Sequence, residues 1–467
     1  MEKTQLINIL KTFSKKEIKE AQRWLSSPSH NLREDIQRLY AYITQDNNLN
    51  NNDLLHKEAA WHAIFPKEKY DDARMRQVIF FLLQCLEDFL SYSQWLEKKG
   101  NQPLALVESY RHRKLDKPFL KTIQVIEKEQ PDSGDADLYE QRHRLFEERS
   151  LFQIKQDRSA ALYLQETNDA LDIYYIAQKL KYFCNMYSHQ RVYKVEYEFS
   201  FLTPLIAEIQ VRNLLHIPAI SIYYYIYHTL IEKENPAHFA ALKLDITKHI
   251  AAFSENEGRD ILLMGINYCI GRTNAGHNAY FKDALELYQL GDTMGILLED
   301  NLISRFTFRN AVSIGTREKA FEWVEYFIDK YKKYLDTKYQ DGFVQFNYAR
   351  LYFEKKDYTL AMKLLAKAEY DDVLIALNAK FMLLKMYYEL DEYDVLESHL
   401  ESMRAYLQRK DVIGYHRNIY KNIVRFARKM LRTNPNSKKE IEALRTEIQT
   451  TDPMTDREWF YKQLDKM

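Results

Sequence analysis

Residues Asp71–Gly100 read DDARMRQVIFFLLQCLEDFLSYSQWLEKKG. Within them Val78, Phe81, Leu82, Cys85, Leu86, Phe89 and Leu90 recur at the i, i+3, i+4 spacing that places side chains on one side of a helix. The pattern predicts a long amphipathic helix over Asp71–Lys99, closed by Gly100. The rest of the chain is punctuated in the same style. Its 467 residues contain 11 Gly and 10 Pro, so a breaker falls about once in 22 residues, roughly a helix and a short loop. Hairpins, sandwiches and barrels need these residues far more often in their turns. An all-α fold follows, with more than ~70% of residues expected in helix.

Toward the N-terminus, Ser14-Lys15-Lys16-Glu17 is a capping box: the serine oxygen takes a backbone N–H and the glutamate reciprocates. The helix it opens stops at Ser26-Ser27-Pro28, and another runs from Leu32 to Thr44 before the Asn-rich stretch Gln45–Asp53. Pro103 and Pro118 suit the first turns of further helices. The run Pro131-Asp132-Ser133-Gly134-Asp135 marks a boundary, which makes residues 1–132 an N-terminal helical domain. Beyond it the helices are long and rich in tyrosine, densest at Tyr223-Tyr224-Tyr225, where rings are expected to fill helix interfaces. Val195, Tyr197, Phe199 and Phe201 alternate with polar residues, but Val192, Val195, Phe199, Leu202, Ile206 and Ile209 fit a helical period. This segment is therefore expected to be helical, with Pro204 as a kink.

Tyr348-Ala349-Arg350-Leu351-Tyr352-Phe353-Glu354-Lys355-Lys356-Asp357-Tyr358-Thr359-Leu360-Ala361 combines an aromatic in one helix, a turn at Asp357-Tyr358 and a small residue in the next helix, with Ala368 further on. It resembles a tetratricopeptide repeat, with Lys356 where that family places a turn glycine. Tyr387, Glu392, Tyr393 and Leu396 form a second copy, Gly315 to Ala320 a third and Phe281 to Ala284 a fourth. Positions 284, 320, 361 and 396 are 36, 41 and 35 apart, near the ~34 of that family. The resemblance covers about residues 255–405. It implies an α-solenoid of antiparallel helix pairs over residues 133–435, with 436–467 as capping helices.

Lys+Arg and Asp+Glu both number 67, so no global field draws the chain to nucleic acid or an anionic membrane. Cys85, Cys184 and Cys269 lie far apart in apolar helices, as expected of buried thiols in a reducing compartment, the cytoplasm. No apolar run reaches the ~18 residues a membrane span needs. Gly271-Arg272-Thr273-Asn274-Ala275-Gly276-His277-Asn278 has P-loop glycine spacing, yet His277 and Asn278 replace the lysine and hydroxyl that bind phosphate and Mg²⁺. The 13 histidines form no HExxH, and His56 and His62 fall on different sides of a helix. No GxSxG elbow or Cys–His pair is present in the sequence. The expectation is a non-enzymatic chain with no cofactor and no metal site.

Two surfaces remain as binding candidates. Nine acidic residues lie between Glu369 and Glu401, followed by nine basic residues from Arg404 to Arg432. Arg417, Lys421, Arg425, Arg428 and Arg432 step by 4, 4, 3 and 4, forming one stripe opposite Ile419, Ile423, Phe426, Ala427 and Met430. The stripe is either a solvated outer face or a strip that docks an acidic partner; nucleic acid is the reading that neutral charge argues against.

The second candidate follows from the repeat resemblance, which implies that the first helix of each pair lines a concave groove. Aligning the copies on Ala320, Ala361 and Leu396 puts Arg309, Arg350 and Lys385 in register, with Arg305, Phe346 and Phe381 one turn earlier and Leu302, Phe343 and Asn378 before those. This set offers aromatic anchors beside cations for an acidic segment with apolar side chains, unless the phenylalanines are core. The Asn and Lys pairs of the family's carboxylate clamp do not occur in this register. The leading expectation is a scaffold that binds a protein or peptide in this groove. The alternative is an adaptor for nucleic acid or another polyanion at the stripe.

Overall fold

The computed structural model describes every residue except 46–47, 99, 132–133, 157–161, 194, 338–339, 368–369, 371 and 410–413, along with the side chains of 191, 192 and 367. Lys99, Asp132, Ser133, Ala368 and Glu369, with Asp371 of the acidic run and Lys410 of the basic one, thus lie outside the described residues. The chain is 78% helical. Among the described residues there is no strand, only an isolated bridge between Glu299 and Leu302. No described helix is long and apolar enough to cross a membrane. The chain divides into two compact units, Met1–Pro131 with Leu138–Leu171, and Asp132–Asp137 with Asp172–Met467.

In the first unit the capping box forms: the Glu17 N–H donates to Ser14 Oγ at 3.2 Å, and the Ser14 N–H donates to Glu17 Oε2 at 2.7 Å. The long helix spans Asp72–Glu97, with Asp71 Oδ1 accepting from the Ala73 and Arg74 N–H groups. It buries Val78, Leu82, Leu86 and Phe89 against Leu6, Leu10, Tyr40 and Trp61. Gly100, at φ +95°, begins the next helix, Asn101–His112. Pro103 and Pro118 are each third in their helices, where a missing N–H breaks no intrahelical bond.

In the second unit, residues 195–199 are not helical, which corrects the continuous helix expected there. One helix ends at Val192 and another, Leu202–Val211, begins with Pro204 in its first turn. A proline is accepted in a first turn, whereas mid-helix it would clash with the preceding turn. Tyr223 and Tyr224 are buried as expected, and the Tyr223 hydroxyl donates to Glu257 at 2.7 Å.

Four helix pairs follow: Glu255–Asn274 with Tyr280–Met294, Arg305–Arg317 with Phe321–Tyr331, Gln340–Glu354 with Tyr358–Lys367, and Val373–Glu389 with Tyr393–Arg409. Each first helix ends in the same way. Gly276, Lys319, Lys356 and Asp391 are left-handed, at φ +95°, +59°, +64° and +59°. The following N–H then reaches back five residues: His277 to Arg272 at 3.0 Å, and Ala320 to Gly315, Asp357 to Tyr352 and Glu392 to Tyr387 at 2.9 Å each. This left-handed closure satisfies carbonyls that a helix end leaves open.

The turn of the Arg305–Arg317 pair is thus Lys319, and Gly315 lies inside the helix. A Cβ on Gly315 would stand 2.4 Å from Val324 Cγ2 and 3.1 Å from the Trp323 ring. This glycine is there for close helix packing. The correction moves the alignment by one helical turn: the counterpart of Ala361 and Leu396, five residues beyond the left-handed position, is the buried Val324 and not Ala320.

Candidate functional site

Arg305 and Arg309 belong to Arg305–Arg317; Phe343, Phe346 and Arg350 to Gln340–Glu354; and Phe381 and Lys385 to Val373–Glu389. These three helices pack as neighbours in that order. Phe343, Phe346 and Phe381 are only 5%, 4% and 5% exposed. Phe346 packs with Ala349, Phe353, Ala361 and Ala379, and Phe381 with Leu377, Leu384 and Trp459. All three are core, so a groove displaying them as anchors is not what this packing offers. The exposed aromatic is Phe306, 54% exposed, with the Arg305 and Arg309 guanidinium groups 4.8 and 5.8 Å from its ring centre. The three-helix register did not single it out because it sits one position off the face traced through Leu302 and Arg305.

The cations of this face are largely engaged. Arg305 lies 3.8 Å from Asp372. Lys385 donates to Asp456 at 2.8 Å and lies over the Phe381 ring at 4.4 Å. Burial pushes the half-buried Arg350 guanidinium below the usual arginine range; Glu354 and Asp456 pull it back up, and Arg309 adds repulsion. With the turn at Lys319, the counterpart of Arg350 and Lys385 is Ser313, and Arg309 stands one turn earlier.

The basic stripe is arranged differently. Gly414–Arg432 buries Ile419, Tyr420, Ile423, Val424, Phe426, Ala427 and Met430. They join a core with Leu400 and Leu407 of Tyr393–Arg409, Leu444 and Ile448 of Lys438–Thr450, and Trp459 and Phe460 of Arg457–Leu464. Burying that side turns the bases outward. Lys421, Arg425, Arg428 and Arg432 line one recess with Arg404 and Lys429, a cavity of about 530 Å³ floored by the buried Leu407 and Val424. Six of its nine lining residues are basic and none is acidic. Arg417 is half-buried and does not line it.

Neutralisation of the six bases is uneven. Arg428 is ion-paired with Glu401. Lys429 donates to Glu447 at 2.7 and 2.6 Å, and Arg425 lies 4.0 Å from the same glutamate and 3.2 Å from Thr451 Oγ1. Arg404, Lys421 and Arg432 are exposed and have no ionic or hydrogen-bonded side-chain partner among the described residues. Lys429 and Arg432 gain from the carbonyl end of their helix; Lys421, mid-helix, does not. A neighbouring recess of about 270 Å³ contains Glu397 and Glu401 beside Arg428 and Arg432, so the positive surface gives way there to one of mixed charge.

Stripe periodicity was enough to find four of the six bases. Lys429, one residue off the stripe, and Arg404, on the facing helix, required the packing of Tyr393–Arg409 on Gly414–Arg432. The P-loop-like segment is the last turn of Glu255–Asn274 and a left-handed turn at Gly276. Cys85, Cys184 and Cys269 are free thiols, the last two buried. Compared with protein-family models, with curated proteins and with solved structures, the chain matches none.

Proposed function

We propose that this chain is a non-enzymatic binding protein of the cytoplasm, a tetratricopeptide-like solenoid. Its docking site is the basic recess between Tyr393–Arg409 and Gly414–Arg432, and its partner is an acidic polypeptide segment carrying an apolar side chain. The carrying observation is the recess itself: six bases and no acid line it, and three of the bases have no side-chain partner among the described residues. The recurring left-handed closure at Lys319, Lys356 and Asp391 supports the repeat reading. In this account the solenoid lies within residues 172–435, residues 436–467 cap it, and Met1–Pro131 with Leu138–Leu171 form a separate helical unit. The docking site thus sits at the capped end and not among Phe343, Phe346 and Phe381.

A polypeptide fits better than nucleic acid for two reasons. The methylene stems of the lining arginines and lysines, above Leu407 and Val424, give an apolar side chain a surface to pack on between the charges. A polypeptide can carry neutral residues where it passes Glu397 and Glu401, whereas a phosphate backbone brings a charge at every nucleotide. Fluorescence anisotropy with a Glu/Asp-rich peptide containing Leu or Phe, and with an oligonucleotide of equal charge, separates the two. The reading expects the peptide to bind more tightly at physiological salt. Preference for the oligonucleotide would establish the polyanion-adaptor reading instead.

A further inference from the structure

The turn joining Pro218–Ile231 to Pro236–His249 gathers two imidazoles and a carboxylate. His228 and Glu232 are four residues apart at the end of the first helix, so they project from the same side. His238 comes from the first turn of the second helix, whose start is fixed by Asn235 Oδ1 accepting the Ala237 N–H at 3.1 Å. One nitrogen of each histidine and one Glu232 oxygen all lie within 4.8 Å of one another. Each carboxylate oxygen faces a different ring: His228 Nδ1 is 2.9 Å from Oε1 and His238 Nε2 is 3.0 Å from Oε2. The rings themselves are stacked with centres 4.6 Å apart.

The surroundings suit an ion. His228 is buried beside Tyr224 and Tyr227. The nitrogen it turns toward Glu232 is Nδ1; its Nε2 is buried and has no hydrogen-bond partner among the described residues. Glu232 is exposed, which opens the cluster to solvent. The 2.9 and 3.0 Å separations approach the roughly 3.3 Å between ligands around a tetrahedral ion with bonds near 2.0–2.1 Å.

We propose that His228, Glu232 and His238 form a site for a divalent transition-metal ion of the Zn²⁺ class, with solvent completing the coordination. Two imidazoles and a carboxylate suit Zn²⁺ and its transition-metal neighbours. Ca²⁺ and Mg²⁺ prefer all-oxygen sets. The bound ion replaces the two imidazole–carboxylate hydrogen bonds and ties the end of one helix to the start of the next. The site lies apart in sequence from the basic recess and stands independently of the function proposed for it.

The test is titration of the full-length protein, first stripped by chelator and dialysed, with Zn²⁺ in a calorimeter and with Co²⁺ by visible absorption. One equivalent of each should bind, and Co²⁺ should show the strong bands of four-coordinate geometry. Glu232→Gln and His238→Ala should each weaken Zn²⁺ at least ~10-fold, while His56→Ala, in the first unit, leaves it unchanged. The assignment is overturned if no saturable binding occurs, or if Glu232→Gln binds as wild type does. Because Glu232 is exposed, that variant decides the matter even where His238→Ala fails to fold.

Discussion

Arg428, on Gly414–Arg432, is ion-paired with Glu401, on Tyr393–Arg409, at the line where the positive recess meets one of mixed charge. Glu401 is exposed, 66% by side chain, so the pair contributes little to stability, about 0–1 kcal/mol. Its larger effect is to withhold one cation from a ligand. Glu401→Gln should leave the unfolding midpoint nearly unchanged. Retention of an acidic peptide at low ionic strength should rise by roughly twofold to fivefold, the equivalent of a surface pair. The gain should vanish at high salt, where exposed charges are screened. Anisotropy titrations at two ionic strengths check both parts.

The position of the turn in the Arg305–Arg317 pair makes opposite predictions for two neighbouring residues. Gly315→Ala puts a methyl group within 2.4 Å of Val324 Cγ2 and should destabilise by about 1–3 kcal/mol, the usual cost of overpacking. Lys319→Gly removes a side chain from a left-handed, exposed position and should stabilise by about 0.5–1 kcal/mol. Urea unfolding of the two variants measures this. If the signs are reversed, Gly315 is the turn residue and the repeat alignment returns to Ala320.

Glu389 provides the pH dependence. Its side chain is 12% exposed; it accepts from Lys356 Nζ at 2.9 Å, from Trp459 Nε1 at 2.8 Å and from the Tyr358 hydroxyl. Burial raises its pKa, but these bonds together outweigh burial and hold it below the ordinary glutamate value. Its folded pKa is depressed, so its contribution is present above the unfolded value of about 4.3 and is lost as pH falls through the lower folded value. Glu389→Gln should cost about 1–3 kcal/mol at neutral pH and flatten the loss of stability below about pH 4.3. Urea midpoints from pH 3 to pH 7 would show it; an unchanged acid limb would remove Glu389 from that role.

Helix periodicity, caps and glycine scarcity depend on local physics, and those parts of the fold were legible. The Ser14–Glu17 box and the Asp72–Glu97 helix lie where spacing put them, and of the stripe on Gly414–Arg432 the bases from Lys421 onward line one recess while Arg417 does not. What failed depends on tertiary approach. Gly315 looks like a turn glycine until Val324 and Trp323 are seen against it. Lys319 holds a left-handed turn with no residue-type cue. Phe346 and Phe381 share a helical face with cations, and spacing alone does not distinguish a core side from a display side. Long-range sites were least visible: Arg404 reaches the recess only through helix packing. His228, Glu232 and His238 converge across a turn, and only the four-residue step between the first two is visible in the sequence.

The central claim is that the recess lined by Arg404, Lys421 and Arg432 docks an acidic segment, and calorimetry on the intact protein tests it most directly. A Glu/Asp-rich peptide containing one Leu or Phe is titrated into the wild type and into the combined variant Arg404→Glu, Lys421→Glu, Arg432→Glu. These side chains are exposed and have no side-chain partners among the described residues, so the variant should keep the wild-type circular dichroism and unfolding midpoint. Saturable binding that weakens steeply with salt in the wild type, and is lost in the folded variant, is the predicted result. Equal affinity for the two proteins would contradict the account.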